Sequence, residues 1–373
     1  MTDLIKTSNV PKITIQKFKK RVRKLIGNAV RSGVAVSQLS SVYLEGPMGV
    51  GKSQGIRELS SELESETGKR VNLIDIRLLL YSPVDLRGIP AVNADKTACR
   101  WLLPDVFKLD DSPEVINIVF LDELSSCTPA VQAAAYQIVL DHRIGEHKLP
   151  DNTYIIAAGN RMVDKSVVYK MPKALANRMT HFEIVTSVDE WCDWAVNNNI
   201  DHRIIGFIRF KNNLLMMTEE TDEMAFPTPR SWAMASRYLD MLNGNIDEAY
   251  LFICGCIGSG TANLFTAYCN TYSFLPNIAD IFSGKPAKMT KRTPDILHAL
   301  TSSMIAYART HRTSYPEIET SLGFADRNLP TEFVAYLLHG YFAIDKTLAD
   351  TIKTMQTYKN IISKRGSAFN GII

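Results

Sequence analysis

Long apolar runs are missing from this sequence. The longest stretches, such as Leu251–Ile257, fall far short of the roughly 18–20 uninterrupted residues that a bilayer helix needs, so no membrane insertion is expected. The Met1 start lacks the basic-then-apolar-then-small order of a secretory signal. Cysteine pairing is absent too. Cys99, Cys127, Cys192, Cys254, Cys256 and Cys269 form neither CxxC pairs nor the Cys/His spacing of a zinc site, which predicts reduced thiols in a cytoplasmic protein. The histidines are scattered, with His142 and His147 the nearest pair, and this excludes a histidine-rich metal cluster. A net charge of +3 is too small to draw nucleic acid or membrane by bulk attraction. There is no low-complexity tract and no repeat of the solenoid kind. No Ser/His/Asp or Cys/His hydrolase pattern stands out.

What is present is enough apolar residue, 46% of the chain, to build a sizeable core, in a length that predicts more than one domain. Residues 13–31 space Ile15, Phe18, Val22, Leu25, Ile26, Ala29 and Val30 at three-to-four intervals, predicting an amphipathic helix. Its outer face is basic, for no acid lies between Asp3 and Glu45; a solvated face accounts for it better than a nucleic-acid grip, because no aromatic residues are interleaved for base stacking. Short β-branched runs predict strands at 41–44, 71–76, 116–121, 154–158 and 181–185. Between them lie helices from Ser53 to about Gly68 and from Thr128-Pro129 to about Leu140. Strand alternating with helix over 40–185 implies an α/β fold with a parallel five-stranded sheet flanked by helices. Arg143–Glu146 followed by Leu149-Pro150 predicts a hairpin. Past Thr186 the periodicity is helical throughout, with Trp191 and Trp194 as expected core anchors.

Gly46-Pro47-Met48-Gly49-Val50-Gly51-Lys52-Ser53 fits G-x-x-x-x-G-K-[ST] and sits after a strand and before a helix. That pattern lets backbone N–H groups turn inward around phosphate oxygens. Lys52 then bridges the outer phosphates and the Ser53 hydroxyl coordinates Mg²⁺, while the helix that follows points its positive end at the anion. Gly46, Pro47, Gly49, Val50, Gly51, Lys52, Ser53 and Gln54 are the expected nucleotide-binding residues. Further on, Ile118–Glu123 (IVFLDE) ends a strand in two acids. Asp122 is expected to hold the Mg²⁺ shell with Ser53, and Glu123 to polarise the attacking water as general base.

With these motifs in this order, the chain resembles the AAA+ ATPases, and more narrowly the MoxR-type group. Ser82–Gly88 (SPVDLRG) resembles the start of that group's insert in the second helix. Ile155–Asn160 (IIAAGN) resembles the strand ending in the family's first sensor, which implies that Asn160 contacts the γ-phosphate or the attacking water. Ala174–Arg178 (ALANR) resembles the segment carrying an arginine finger, making Arg178 the residue that enters a neighbouring subunit's site. Phe226–Trp232 (FPTPRSW) resembles the second-sensor segment, with Arg230 on the γ-phosphate. The likeness covers roughly residues 35–245. It implies an AAA+ P-loop core followed by an all-helical lid and a C-terminal helical extension. The expected segments are 1–34 (basic helix), 35–186 (nucleotide-binding domain), 187–310 (lid) and 311–373 (extension). It also implies ATP and Mg²⁺ as ligands, a ring homo-oligomer (a hexamer), and a protein client of the von Willebrand A or metallopeptidase-like kind. The alternative is a nucleic-acid motor or loader on the same core. In related rings the hairpin region faces the central pore or a neighbour; an ordinary surface turn is the other option for it here.

Overall fold

Five strands form where the β-branched runs occur, and a sixth is added that the sequence did not reveal. The computed structural model describes residues 10–161, 169, 171–217 and 223–369, and its contacts divide between Thr186 and Ser187 into two units. Each is described by itself.

The first unit opens with β1 (Lys12–Thr14) and α1 (Ile15–Arg31), then β2 (Val42–Glu45), α2 (Lys52–Thr67) and β3 (Arg70–Arg77). A short α3 (Pro83–Arg87) leads into the antiparallel pair β4 (Ile89–Val92) and β5 (Cys99–Leu102). After these come β6 (Val115–Asp122), α4 (Pro129–Asp141), a small hairpin of β7 (Arg143–Ile144) and β8 (His147–Lys148), β9 (Thr153–Gly159), α5 (Lys173–Ala176) and β10 (Thr180–Val185). The main sheet is parallel throughout, in the order β1-β10-β2-β9-β6-β3. Every residue of β6 and β9 is buried, as strands covered on both faces require. One face of the sheet packs Ile74, Ile76, Val119, Leu121, Ile155 and Ala157 against Ala135 and Ile138 of α4.

The expected five-stranded sheet is therefore six-stranded. Residues Lys12–Thr14 pair in parallel with Glu183–Val185, and the helix predicted from Ile13 starts at Ile15. Thr14 is the reason: its backbone is extended, and its hydroxyl accepts from the Lys17 N–H as an N-cap, so the chain turns from strand to helix there. α1 packs on α2, and its basic stripe is not simply solvated. The Lys19 ammonium, almost fully buried, lies 2.6 Å from Glu58 and 2.9 Å from Glu62, while Arg23 pairs with Glu62 and Glu66. These acids recur every fourth residue on α2, matching the cations one turn apart on α1.

In the second unit the described residues form α6 (Val188–Asn197), α7 (His202–Phe210), α8 (Pro229–Met241), α9 (Ile246–Ile257), α10 (Ser259–Cys269), α11 (Ile278–Phe282), α12 (Pro294–Thr310), α13 (Tyr315–Asn328), α14 (Thr331–Ile344), α15 (Lys346–Thr354) and α16 (Gln356–Arg365), with no strand among them. One apolar core runs from Trp191 to Phe369 without a break at 310/311. Trp191 lies in that core and Trp194 packs against it. α8 starts on a capping box, Thr228 with Ser231, behind which Pro229 takes the first helical position. No helix of the described residues is long and apolar enough to cross a membrane.

Candidate active site

The phosphate loop leaves β2 at Gly46 and enters α2 at Lys52. Gly46 is forced by space: a Cβ there would stand 2.8 Å from the Ile184 carbonyl oxygen of the adjoining strand. Gly49 and Gly51 are forced by conformation, with φ at +77° and +97°. Left-handed residues spaced in this way let successive N–H groups curl around an anion. Val50 is buried in the loop, whereas Gln54, one turn into α2, is exposed and donates to Glu58. Gln54 thus faces along the helix surface and not into the cluster described next.

Lys52 is buried, and its Nζ donates to the carbonyl oxygens of Gly46 (2.6 Å) and Pro47 (3.0 Å) and to Asn160 Oδ1 (3.3 Å). Phosphate oxygens would compete for these donors. Ser53 Oγ donates to Asp122 Oδ2 at 2.6 Å, and the other carboxylate oxygen of Asp122 accepts from the Glu123 N–H at 2.9 Å. Asp122 is thereby fixed at the end of β6. Asn160, buried just past β9, donates from Nδ2 to Glu123 Oε2 at 2.9 Å, and Ser126 Oγ donates to the same oxygen at 3.2 Å. The side chains of Lys52, Asn160, Glu123, Asp122 and Ser53 are consequently joined, through one backbone N–H, in a continuous chain of hydrogen bonds.

Glu123 has φ of +61°, in the left-handed region that costs a non-glycine residue about 1–2 kcal/mol. Three backbone bonds hold it there: the Leu124 N–H to the Ala158 oxygen, and the N–H groups of Ser126 and Cys127 to its own carbonyl. Strain of this kind, sustained by its surroundings, is characteristic of functional positions.

Sequence reasoning missed the second layer of the cluster. The Asn160 N–H donates to Ser125 Oγ at 2.8 Å, and that hydroxyl donates back to the Asn160 carbonyl at 3.1 Å. Tyr43 hydrogen-bonds Ser125 in turn; burial pushes its phenol well above the ordinary range, so it stays a neutral hydroxyl. Gly159 leaves room for both, because a Cβ there would collide with the Tyr43 hydroxyl and Ser125 Oγ. The repeated serines after the acid pair were the available signal, and nothing in their spacing marks the role.

The residues fit a Mg²⁺ ion in part. A hydroxyl and a carboxylate offer hard oxygen donors from two elements at one point, and among the described residues no group of three or more His, Cys, Asp or Glu side chains forms a cage. That suits a cation which completes its shell with phosphate oxygens and water.

Two further expected residues, besides Gln54, stand outside this cluster. Arg178 is exposed after α5 and lines an open cleft with Arg87, Trp101, Tyr136, Gln137 and Asp141, a cleft that no phosphate-loop residue lines. Arg230 belongs to the second unit, exposed in the first turn of α8. The hairpin expected at Arg143–Leu149 is present as β7 and β8, its tip beside the Arg178 cleft.

The fold is an α/β P-loop core with a helical C-terminal region. The sequence matches no family model and no curated protein. Among solved structures it is similar to a RuvB mutant of Thermotoga maritima (15% identity over 70% of this chain and 73% of that one, TM-score 0.35). It is also similar to PCH-2 of C. elegans (16%, 69% and 69%, TM-score 0.37) and to the ORC1 protein of Aeropyrum pernix in complex with DNA (13%, 97% and 86%, TM-score 0.39). The functional reading therefore rests on the site's own geometry.

Proposed function

We propose that this chain is an ATP hydrolase of the AAA+ class, in its MoxR-type branch, working with Mg²⁺ as a cytoplasmic ring of identical subunits, six by family likeness, that remodels a protein client. The observation that carries the reading is the hydrogen-bonded series Lys52–Asn160–Glu123–Asp122–Ser53 at the mouth of a glycine-rich loop. A phosphate-binding loop alone serves many proteins; joined to a strained carboxylate, it has the parts to activate water.

Phosphoryl transfer to water is accelerated mainly by positioning and by cations on the equatorial oxygens. The loop N–H groups and Lys52 bind and orient the outer phosphates. Ser53 and Asp122 would hold Mg²⁺, which when bound would supply Lewis-acid neutralisation of the phosphate charge. Glu123 takes the proton of the attacking water, and Asn160 fixes the carboxylate from one side while contacting the lysine from the other. Arg178, outside its own chain's cluster, is available to an adjacent copy, where an arginine supplied in trans is worth about 10³–10⁵ in rate. By the family likeness Arg230 is the second sensor for the γ-phosphate, with residues 187–310 as the lid and 311–373 as its extension. The client is a von Willebrand A-type or metallopeptidase-like protein. A nucleic-acid motor is the weaker reading, since Lys19 and Arg23 of the basic stripe are engaged by the acids of α2.

The test is a pair of substitutions. Lys52→Ala is expected to lose nucleotide binding, and Glu123→Gln to bind ATP while hydrolysing it poorly. ATP binding by Lys52→Ala equal to that of the unmodified chain sinks the proposal. An immobilised Glu123→Gln chain held in ATP is the bait for the client.

A further inference from the structure

The cleft that holds Arg178 contains a second arginine. Arg87 closes α3 and, like Arg178, is exposed, with no ion-pair partner among the described residues. The cleft, about 530 Å³, also has Trp101, Tyr136, Gln137 and Asp141 in its walls. Its parts are interlocked. Gln137 Nε2 donates to the Gly145 carbonyl at 3.0 Å, His147 Nε2 lies 2.8 Å from the Trp101 carbonyl oxygen, and a Cβ on Gly145 would meet the Arg87 carbonyl at 3.0 Å. Gly88, at φ of +90°, lets the chain after Arg87 close against the Leu102 carbonyl. Ser82 and Asp85 cap α3 reciprocally. Arg87 is thus carried on a fixed backbone, and only its side chain is free to reach outward.

The same stretch of chain shows an apolar surface to solvent: Leu79, Leu80, Val84, Ile89 and Leu102 are each more than half exposed. Apolar side chains exposed together along one short stretch of chain suit a surface that another protein covers. Two guanidinium groups against one carboxylate leave the cleft with net positive charge, which selects an anionic occupant.

We infer that this cleft faces the triphosphate bound by an adjacent copy of the chain, and that Arg87 acts there beside Arg178 as a second arginine in trans. The inference rests on the shared-site reading proposed above. Arg87 makes and breaks no covalent bond: it donates N–H bonds to a non-bridging oxygen of the transferring phosphoryl group, where negative charge grows as water attacks. A planar fork carrying two parallel donors suits that oxygen pattern better than an ammonium.

The experiment measures turnover of Arg87→Ala and Arg87→Lys, with ATP binding and self-association followed on the same samples. A drop in kcat of about 100-fold for Arg87→Ala is expected, the loss typical of one donor to a developing oxyanion. ATP binding should change less than about twofold, because the chain's own loop is untouched, and Arg87→Lys should recover part of the rate. Arg87→Ala is then mixed with Glu123→Gln, and Arg178→Ala is mixed with Glu123→Gln in parallel. Rescue in both mixtures supports the inference, since each composite site joins an intact Glu123 carboxylate to an intact arginine from the other chain. Rescue with Arg178→Ala but not with Arg87→Ala overturns it and leaves the shared site standing. No rescue in either mixture overturns the shared site itself. A kcat for Arg87→Ala within about threefold of the unmodified chain, or a loss explained wholly by failed self-association, also overturns the role of Arg87.

Discussion

Replacing Glu123 by glutamine isolates the proton acceptor from everything else the residue does. The glutamine oxygen can still accept from Asn160 Nδ2 and Ser126 Oγ, which now reach Glu123 Oε2 at 2.9 and 3.2 Å. The backbone at φ of +61° is equally unfavourable for both side chains, so strain cancels in the comparison. Asp122, Ser53 and Lys52 keep their partners. What disappears is the ability to take a proton from water, a contribution of about 10²–10⁴ in rate, or roughly 3–5 kcal/mol of barrier. Phosphate release measured at saturating ATP should fall by that factor, while calorimetric titration with ATP and Mg²⁺ gives a dissociation constant within about threefold. Turnover in Glu123→Gln within threefold of the unmodified chain would falsify the assignment of the base.

Two stability predictions come from other parts of the molecule. Lys19→Ala removes an ammonium that is only 4% exposed from between Glu58 and Glu62, whose carboxylates are 23% and 33% exposed, while Glu58 keeps its bond from Gln54. Partial solvation and the remaining Arg23 contact to Glu62 reduce the penalty, to about 1–3 kcal/mol of unfolding free energy. Denaturant titration checks this, and a change below about 0.5 kcal/mol refutes it. In the helical unit, burial, reinforced by Arg209 and opposed by Asp295, holds the His298 imidazole at about 4, below its ordinary 6.5. The unfolded chain then binds a proton that the folded one refuses, so this residue costs stability as pH falls from about 6.5 towards 4, up to about 2 kcal/mol at pH 5. His298→Phe keeps the ring packing against Phe333 and should flatten that acid limb; melting scans at pH 7.5 and pH 5 that fall as steeply as those of the unmodified chain contradict it. His339, raised by its bond to Asp193, works in the opposite sense, its stabilisation complete below 6.5 and lost at higher pH, and it is common to both proteins.

The parts of this molecule that were legible in the sequence are those whose chemistry is local. A glycine-rich loop announces itself because Gly49 and Gly51 must take positive φ and Lys52 must follow at once. The acid pair is visible because an apolar strand ends in it, and Asn160 because Ile155–Asn160 resembles the strand that carries a first sensor in the AAA+ ATPases. The parts that were hidden depend on which elements become neighbours. Lys12–Thr14 is too short to show a period, and it becomes a strand only because β10 offers an open edge. Lys19 resembled every other surface lysine until α2 brought two carboxylates to it. Ser125 and Tyr43 lie far apart in the chain, and only the pairing of β9 with β2 on one side and β6 on the other sets both beside Gly159. Arg87 is the same case: its partner Arg178 is distant in sequence, and the interlocked hairpins put them in one cleft.

Asn160 ties the binding of phosphate to the activation of water, and this has a measurable signature. One end of its amide accepts from the Lys52 ammonium and the other donates to the Glu123 carboxylate, so the group lies between opposite charges. When phosphate oxygens draw Lys52 away, the amide loses its anchor on that side, and the carboxylate is less firmly held. If Asn160 acts through Glu123, removing it matters only while the carboxylate is present. Asn160→Ala should lower kcat by about 10- to 100-fold in the unmodified chain, as expected for loss of one positioning group, yet lower it little further in Glu123→Gln. The double-mutant cycle then gives a coupling of about 1.4–2.7 kcal/mol. Independent action, in which Asn160 contacts the phosphate without reference to the base, predicts that the two losses multiply. A coupling near zero would therefore separate the asparagine from the carboxylate and return it to a simple role in binding.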